Sequence, residues 1–142
     1  MIKEDKEGFI LKILSLAPDV SFSPVQIQKL FFLVEKRIGH QAKYFKFTPY
    51  HYGPYDEDLT ILIKQLVSEG KITSSIVDGI THYSINTRFQ NDINDFLDES
   101  KRSFISQKLI PFIKSKSFLE LCYSIYKEFP DMAKRSVLIK KT

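Results

Sequence analysis

Histidine is the commonest metal ligand among side chains, and cysteine is both a zinc ligand and a strong nucleophile. The histidines are His40, His51 and His82, and no two of them have a spacing typical of metal ligands. Cys122 is the only cysteine, so an intramolecular disulfide is impossible and a cysteine-based zinc site cannot form. Because its neighbours are apolar, we predict a buried structural thiol and no metal site.

One histidine has acidic neighbours. His51 precedes Asp56 and Glu57 by a few residues, so an acid–base pair is conceivable. We favour a histidine that is hydrogen-bonded within its aromatic segment, because a catalytic site needs a convergent set of groups that this sequence does not show. Nucleotide-binding loops, metalloprotease motifs and nucleophile elbows are also missing. The prediction is a protein that is not an enzyme, with no catalytic residues and no cofactor.

The segment around His51 is unusually aromatic. Residues 44–55 contain six of the 19 Phe and Tyr residues of the chain, without helical or strand periodicity. Gly53-Pro54 predicts a turn, since glycine tolerates positive φ and proline restricts φ. We favour a corner anchored by its rings in the core. The alternative is an aromatic partner-binding surface that uses Tyr52 and Tyr55.

Two amphipathic helices precede this corner. The first is predicted from Lys3 to Ala17. The second begins with a capping box in which Ser23 is the N-cap and Gln26 is at N3, and it ends before Gly39. We expect Lys29, Lys36 and Arg37 to lie on its exposed side. The predicted buried stripe of the second helix consists of Ile27, Leu30, Phe31, Val34 and Ile38.

A third helix and a hairpin follow the corner. Asp56 is the predicted N-cap of the helix, and Gly70 ends it. Asp78-Gly79 predicts a type I′ turn in a hairpin over residues 71–85. The pairs expected from a two-residue turn are Val77 with Ile80, Ser74 with Tyr83, and Ile72 with Ile85. One face should carry Ile72, Ile76, Tyr83 and Ile85.

The C-terminal third reads as further helices. A helix is predicted from Asn86 or Thr87, with a face of Phe89, Ile93, Phe96 and Leu97. Pro111 should kink or divide the next helical region. Ser117 and Glu120 predict a capping box, and Pro130 ends that helix. We expect the apolar side chains of this extension to pack on the preceding domain or on another copy, and the basic tail from Lys134 onward to be frayed.

The order of elements predicts the fold. Three helices followed directly by a tight hairpin are typical of a winged helix-turn-helix. We therefore predict a mostly helical α+β protein, with a winged-helix-like domain over residues 1–85 and a helical extension over residues 86–142 that packs on it.

Two motifs resemble a bacterial family. The run Ile27-Gln28-Lys29-Leu30-Phe31-Phe32-Leu33 and the segment from Phe47 through Tyr52-Gly53-Pro54 to Leu59 are similar to the SocA-like antitoxin domains, also called Panacea domains. That family shares a "QKLxY/F" helix and a "YGPxxxxL" corner ahead of a winged hairpin, and the resemblance covers about residues 8–85. It implies a non-enzymatic protein that neutralises a toxin or recruits another partner protein, such as a protease or a defence component.

The charge distribution bears on a rival function, a DNA-binding regulator. The net charge of +4 divides into +3 for residues 1–50, −6 for residues 51–100 and +7 for residues 101–142. The start of the third helix, which would read bases, is acidic at Asp56, Glu57 and Asp58, and Thr73–Tyr83 contains no Lys or Arg. DNA contacts would therefore use basic residues elsewhere, namely Lys29, Lys36, Arg37 and Lys43.

We instead predict a protein partner at the third helix. Glu57, Asp58 and Ile61 lie off its buried stripe, so an apolar anchor would sit beside an acidic rim. A homodimer is a further expectation. No apolar run approaches the roughly 20 residues of a membrane span, and the charged N-terminus lacks the usual form of a signal peptide. The predicted location is the cytoplasm, without membrane association.

Overall fold

The protein has an α+β fold that is mostly helical, as predicted. A computed structural model describes residues 3–38, 44–90 and 97–139. The helices are α1 (Lys3–Leu14), α2 (Pro24–Ile38), α3 (Glu57–Ser68), α4 (Glu99–Phe104), α5 (Ile110–Ser115) and α6 (Phe118–Glu128). The strands are β1 (Thr48–Tyr50), β2 (Gly53–Tyr55), β3 (Ile72–Val77) and β4 (Ile80–Ile85), and they form two separate antiparallel hairpins.

Helix α2 is the central element of the fold. The predicted capping box is present, since Gln26 N donates to Ser23 Oγ and Ser23 N donates to Gln26 Oε1. Buried side chains occupy most of the circumference of α2. They contact α1 and α3 on one side and the helices of the C-terminal third on the other, within one hydrophobic core. The predicted stop at Gly39 lies outside the described residues.

Helix α1 ends at Leu14, three residues before the predicted end. Leu16 N donates to Ile13 O and Ala17 N donates to Leu14 O, which are i to i−3 bonds that tighten the last turn.

The β3–β4 hairpin has the predicted register. Ile72 pairs with Ile85, Ser74 with Tyr83, and Val77 with Ile80. Asp78 and Gly79 both have positive φ, as a type I′ turn requires. This register places the four residues predicted for one face on the same side of the hairpin, where Ile72 and Ile85 are buried and Tyr83 packs partly buried against the core. Ile76 is 69% exposed, because this end of the hairpin extends beyond the core.

The aromatic segment contains a second hairpin that its sequence pattern did not reveal. Tyr50 pairs with Gly53 across a two-residue turn, and Thr48 pairs with Tyr55. Gly53 has a φ of +112°, which confirms the expectation for this glycine. Three residues per strand are too few for a recognisable alternation.

The expectation of a helix from Asn86 is wrong for the residues that the structure describes there. A 3₁₀ turn covers Thr87–Phe89, and Gln90 is extended. Asn86 accepts from the backbone N–H of Arg88, a local bond that starts the turn without continuing it. Phe89 is exposed, and residues 91–96, which include Ile93 and Phe96, lie outside the described residues.

Pro111 is accommodated without a break in the chain of helices. A π-helical turn over Ile105–Leu109 joins α4 to α5, and Ile110 N donates to Ile105 O. A proline interrupts the α-helical ladder because it has no N–H and its ring crowds the carbonyl four residues earlier. The π turn just before Pro111 is therefore the form that the predicted kink takes.

The tail after α6 is held in place over residues 134–139, contrary to the expectation of fraying from Lys134, and Lys140 and Lys141 lie outside the described residues. A 3₁₀ turn spans Pro130–Ala133, and Val137 N donates to His51 O at 3.1 Å. Ser136 is buried and accepts from the Tyr126 hydroxyl at 2.8 Å. These bonds to the first hairpin and to α6 hold the tail in place. Among the described helices, none has both the length and the apolar character that crossing a membrane requires.

Candidate functional site

Gln28 joins helix α2 to the start of helix α3. Its Nε2 donates to Asp56 O at 3.0 Å, and its Oε1 accepts from Asp56 N at 2.9 Å. The buried amide thus pairs with both backbone groups of a single residue, as a neighbouring strand would. Nε2 also donates to Thr60 Oγ1 at 3.0 Å. One glutamine in the first motif therefore fixes the end of the second motif.

The Asp56 carboxylate accepts two further hydrogen bonds, one from helix α3 and one from the chain before strand β1. Its Oδ1 accepts from Leu59 N at 3.3 Å, which confirms the predicted N-cap of α3. Its Oδ2 accepts from Lys46 N at 2.6 Å. The same buried carboxylate therefore caps the helix and holds the strand region that precedes the hairpin.

Lys29 is not on the surface, which corrects both the sequence-based placement and its assignment as a nucleic-acid contact. Lys29 is only 1% exposed, and its Nζ donates to Tyr52 O at 2.5 Å. None of the ion pairs among the described residues includes it. Burial lowers the pKa of Lys29 below its usual value, because the charged amine has lost its hydration. The pattern of apolar residues in α2 did not predict that this lysine would be buried.

Three other groups surround Lys29 beneath the β1–β2 turn. Cys122 Sγ lies 3.6 Å from Tyr52 O, so the thiol and the amine converge on the same carbonyl. Cys122 is buried, as predicted, and burial raises its pKa. A side chain added at Gly53 would lie 3.5 Å from Lys29 Nζ and 3.5 Å from the Tyr126 ring. The positive φ of Gly53 therefore favours glycine at this position. The contacts with Lys29 and Tyr126 show that α2 and α6 both lie directly against the turn.

The opposite side of this hairpin is aromatic and open to solvent. The Tyr50 ring stacks on His51 at 4.2 Å between centroids and on Tyr55 at 4.8 Å. Arg135 lies over the Tyr50 ring at 5.7 Å. The Tyr52 ring meets Phe118 edge-on at 5.1 Å. The segment therefore combines rings buried in the core, such as Phe45, with exposed rings, such as Tyr50 and Tyr52.

Helix α6 and the tail enlarge this exposed area. Leu119 and Tyr123 are one turn apart on the outer side of α6, and the Tyr123 hydroxyl donates to Leu138 O at 3.2 Å. The bond from Val137 N to His51 O joins the tail to the hairpin. We refer to the whole surface as the aromatic face. It consists of Tyr50, His51, Tyr52, Phe118, Leu119, Tyr123 and Val137.

The aromatic face is a stronger candidate site than the sequence alone indicated. Tyr52, Phe118 and Tyr123 are each 43–45% exposed, although large rings normally favour burial. Connected apolar groups of this kind mark interaction surfaces more often than scattered ones do. Sequence reasoning identified Tyr52 and missed the α6 residues. Their position off the stripe formed by Leu121 and Ile125 was the available signal.

The other predicted partner-binding residues divide into two groups. Tyr55 and Glu57 adjoin the aromatic face, because Tyr55 stacks on Tyr50 and donates to Glu57 Oε2 at 2.6 Å. Burial, together with this bond, raises the pKa of Tyr55. Asp58 and Ile61 lie further round α3, beside α1, where Lys6 forms an ion pair with Asp58 at 2.8 Å. All except Tyr55 are exposed, and Tyr55 is half-buried.

The predicted nucleic-acid contacts do not form a basic surface among the described residues. Lys29 is buried. Arg37 forms a two-pronged ion pair with Glu128, which lowers the pKa of that carboxylate. Lys36 is exposed, with its amine 5.7 Å from the centroid of the Phe32 ring. Lys43 lies outside the described residues.

The histidines do not come together with other ligands in the described part of the chain. His51 stacks on Tyr50, and the ring of His82 contacts Ile80 O at 3.1 Å. His40 lies outside the described residues. No group of three or more His, Cys, Asp or Glu side chains is arranged to hold a metal ion within residues 3–38, 44–90 and 97–139. The aromatic face can bind a partner by burial and ring contacts.

Comparisons of the chain with protein-family models, with curated proteins and with solved structures found no match. The resemblance to SocA-like antitoxin domains therefore remains a prediction from the two motifs.

Proposed function

We propose that this protein is a non-enzymatic, antitoxin-like module with a winged-helix fold that neutralises or recruits a partner protein. The observation that carries the proposal is an exposed aromatic face built on a hairpin whose backbone is held from beneath by Lys29. Exposed tyrosines that are already positioned lose little conformational freedom on binding.

Winged-helix architecture is supported by the strand-like residue between α1 and α2. Phe22 and Tyr83 exchange two backbone hydrogen bonds of 2.8 Å, so the chain before α2 adds a short bridge to β4. Apart from the short β1–β2 hairpin between α2 and α3, the order of helix, bridge, two helices and hairpin is the one expected of that fold. The two motifs of the family resemblance are also joined physically, because Gln28 binds Asp56 and Lys29 binds Tyr52.

The test is to express the protein together with toxin-like or defence proteins encoded beside its own gene and to measure growth. For a toxin that the protein suppresses, the double variant Tyr52→Ala and Phe118→Ala should lose suppression. Each truncation is expected to cost about 2 kcal/mol of binding energy, or roughly 30-fold in affinity, if these rings anchor the partner.

Phe89→Ala is the matched control, since it removes an exposed ring that is not part of the aromatic face. Circular dichroism should first establish that all variants fold. Equal suppression by the double variant and the wild type would exclude this face as the binding site. Suppression of none of the neighbouring proteins, combined with steeply salt-dependent DNA binding, would favour the DNA-binding alternative.

A further inference from the structure

The outer edge of strand β3 has no backbone partner in the described part of the chain. The sheet contains β3 and β4 only. The far edge of β4 is occupied at Tyr83, which pairs with Phe22. Inter-element backbone bonds near β3 involve Lys71 at its base, and none reaches the strand itself. One edge of this sheet is therefore covered at its centre, and the other is open.

Antiparallel geometry identifies the backbone groups on that open edge. Alternate residues of such a strand bond to the neighbouring strand, and the residues between them point away. Val77 and Ile80 close the two-residue turn, so Val77, Ser75 and Thr73 bond inward. The outward bonds of Tyr83 to Phe22 follow the same alternation. Hence Ser74 and Ile76 direct their N–H and C=O groups to the open edge.

This edge lacks the features that usually prevent pairing between proteins. Residues 72–77 contain no charged residue and no proline, and all except Ile72 are exposed. Ile76 is the most exposed of the large apolar residues, at 69%. The small serine and threonine side chains at positions 73–75 leave room for a second backbone.

Charges occur at the two ends of the strand and have opposite signs. Lys71 precedes β3, and Asp78 follows it in the turn. In an antiparallel arrangement of two identical strands, each Lys71 would lie beside the Asp78 of the other copy. A parallel arrangement would place like charges together. We propose that β3 binds the β3 strand of a second copy, antiparallel, to form a continuous four-stranded sheet.

The alternation restricts the register to arrangements in which outward residues meet outward residues. Because Ile72 is buried at the base of the hairpin, the partner strand pairs with Ser74 and Ile76. Ser74 of one copy then lies opposite Ile76 of the other, and four backbone hydrogen bonds form. The two-fold axis then passes between the two Ser75 residues, whose small exposed side chains face each other. The aromatic face lies on other elements, so this dimer does not depend on the proposed partner function.

Cysteine cross-linking of the full-length chain tests the register. At the two-fold axis the Ser75 Cα atoms would be about 4.5 Å apart, inside the range of roughly 4.4–6.8 Å for a disulfide. Ser75→Cys should therefore form a disulfide-linked dimer under mild oxidation. Thr73→Cys is the matched control, because its two copies would be displaced by about 14 Å along the strands. Native Cys122 is buried. Equal cross-linking by both variants, or by neither, would overturn the proposal.

Sedimentation velocity over a series of protein concentrations gives an independent test. With increasing concentration, the apparent mass of the wild type should rise from the monomer mass of 16.6 kDa toward twice that value. Ser74→Pro removes an outward N–H without removing a bond to β4, so it should stay monomeric with an unchanged circular dichroism spectrum. Ser74→Ala retains the N–H and should dimerise like the wild type. A wild type that stays monomeric, or a folded Ser74→Pro variant that dimerises equally well, would contradict the pairing.

Discussion

The two hairpins differ in what holds them. Strands β3 and β4 have six residues each and a regular ladder closed by Asp78 and Gly79, and the hairpin is anchored at its base by buried Ile72 and Ile85. Strands β1 and β2 have only three residues each, but their turn rests directly on Lys29 of α2 and Tyr126 of α6.

This difference underlies the two proposed modes of binding, one at each hairpin. The longer hairpin is stabilised by local pairing and can extend beyond the core with one edge open. An isolated hairpin of three-residue strands would be unstable in water, so the shorter one needs support from the helices. That support fixes its backbone and leaves its rings on the outside. A held aromatic surface suits recognition by side chains, whereas an open strand edge suits recognition by backbone.

The largest expected effect comes from removing the link between helix α2 and Asp56, which follows the shorter hairpin and caps α3. Gln28→Ala should lower the free energy of unfolding by about 2–4 kcal/mol, because the buried N–H and C=O of Asp56 lose their partner. Gln107→Ala, at an exposed glutamine, is the control and should change it by less than about 0.5 kcal/mol. Urea unfolding measures both. Similar stabilities for the two variants would show that Gln28 does not stabilise the junction between α2 and the start of α3.

A smaller effect is expected when the two turns are compared. Gly53→Val should cost about 1–3 kcal/mol, because φ is +112° and the new side chain would enter the contact with Lys29 and Tyr126. Gly79→Ala in the longer hairpin should cost about 1 kcal/mol, since its φ is positive but its surroundings are open. Thermal unfolding of both variants checks the order. A Gly53→Val protein that melts like the wild type would refute the argument.

The smallest expected effect is a pH dependence at Lys29. The pKa of Lys29 is lower in the folded protein than its ordinary value of 10.5, which applies to the unfolded chain. At a pH between the folded and the unfolded pKa, the unfolded chain binds a proton that the folded chain does not. The stability of the wild type relative to Lys29→Met should therefore rise as pH increases through this window and level off at lower pH. The raised pKa of Cys122 acts in the opposite direction above pH 9.0 and depends partly on Lys29, so both proteins are compared in a Cys122→Ala background.

Urea unfolding between about pH 7 and about pH 10 measures this difference. Lys36→Met is the matched control, because it removes the same charge from the exposed side of the same helix. If the stability difference between wild type and Lys29→Met stays constant or decreases with pH, the buried amine does not have the lowered pKa described here.

Local signals in the sequence were sufficient for the starts of α2, α3 and α6 and for the longer hairpin. Ser23 with Gln26, and Ser117 with Glu120, form the capping boxes that their spacing predicted. Asp78-Gly79 specified the turn, and the register followed from it. These features depend on residues within a few positions of one another, so the sequence by itself determined them.

The shorter hairpin and the aromatic face were decided by tertiary structure. Lys29 binds the carbonyl of Tyr52, which is 23 positions away, and Tyr52 meets Phe118, which is 66 positions further on. A lysine is normally assigned to the surface because burying its charge is costly, and only the carbonyl of a distant turn makes the inward position acceptable. Likewise, Phe118 and Tyr123 join the hairpin tip only after α6 packs on α2 and β2. Periodicity describes the environment of one element, whereas these sites depend on which elements meet.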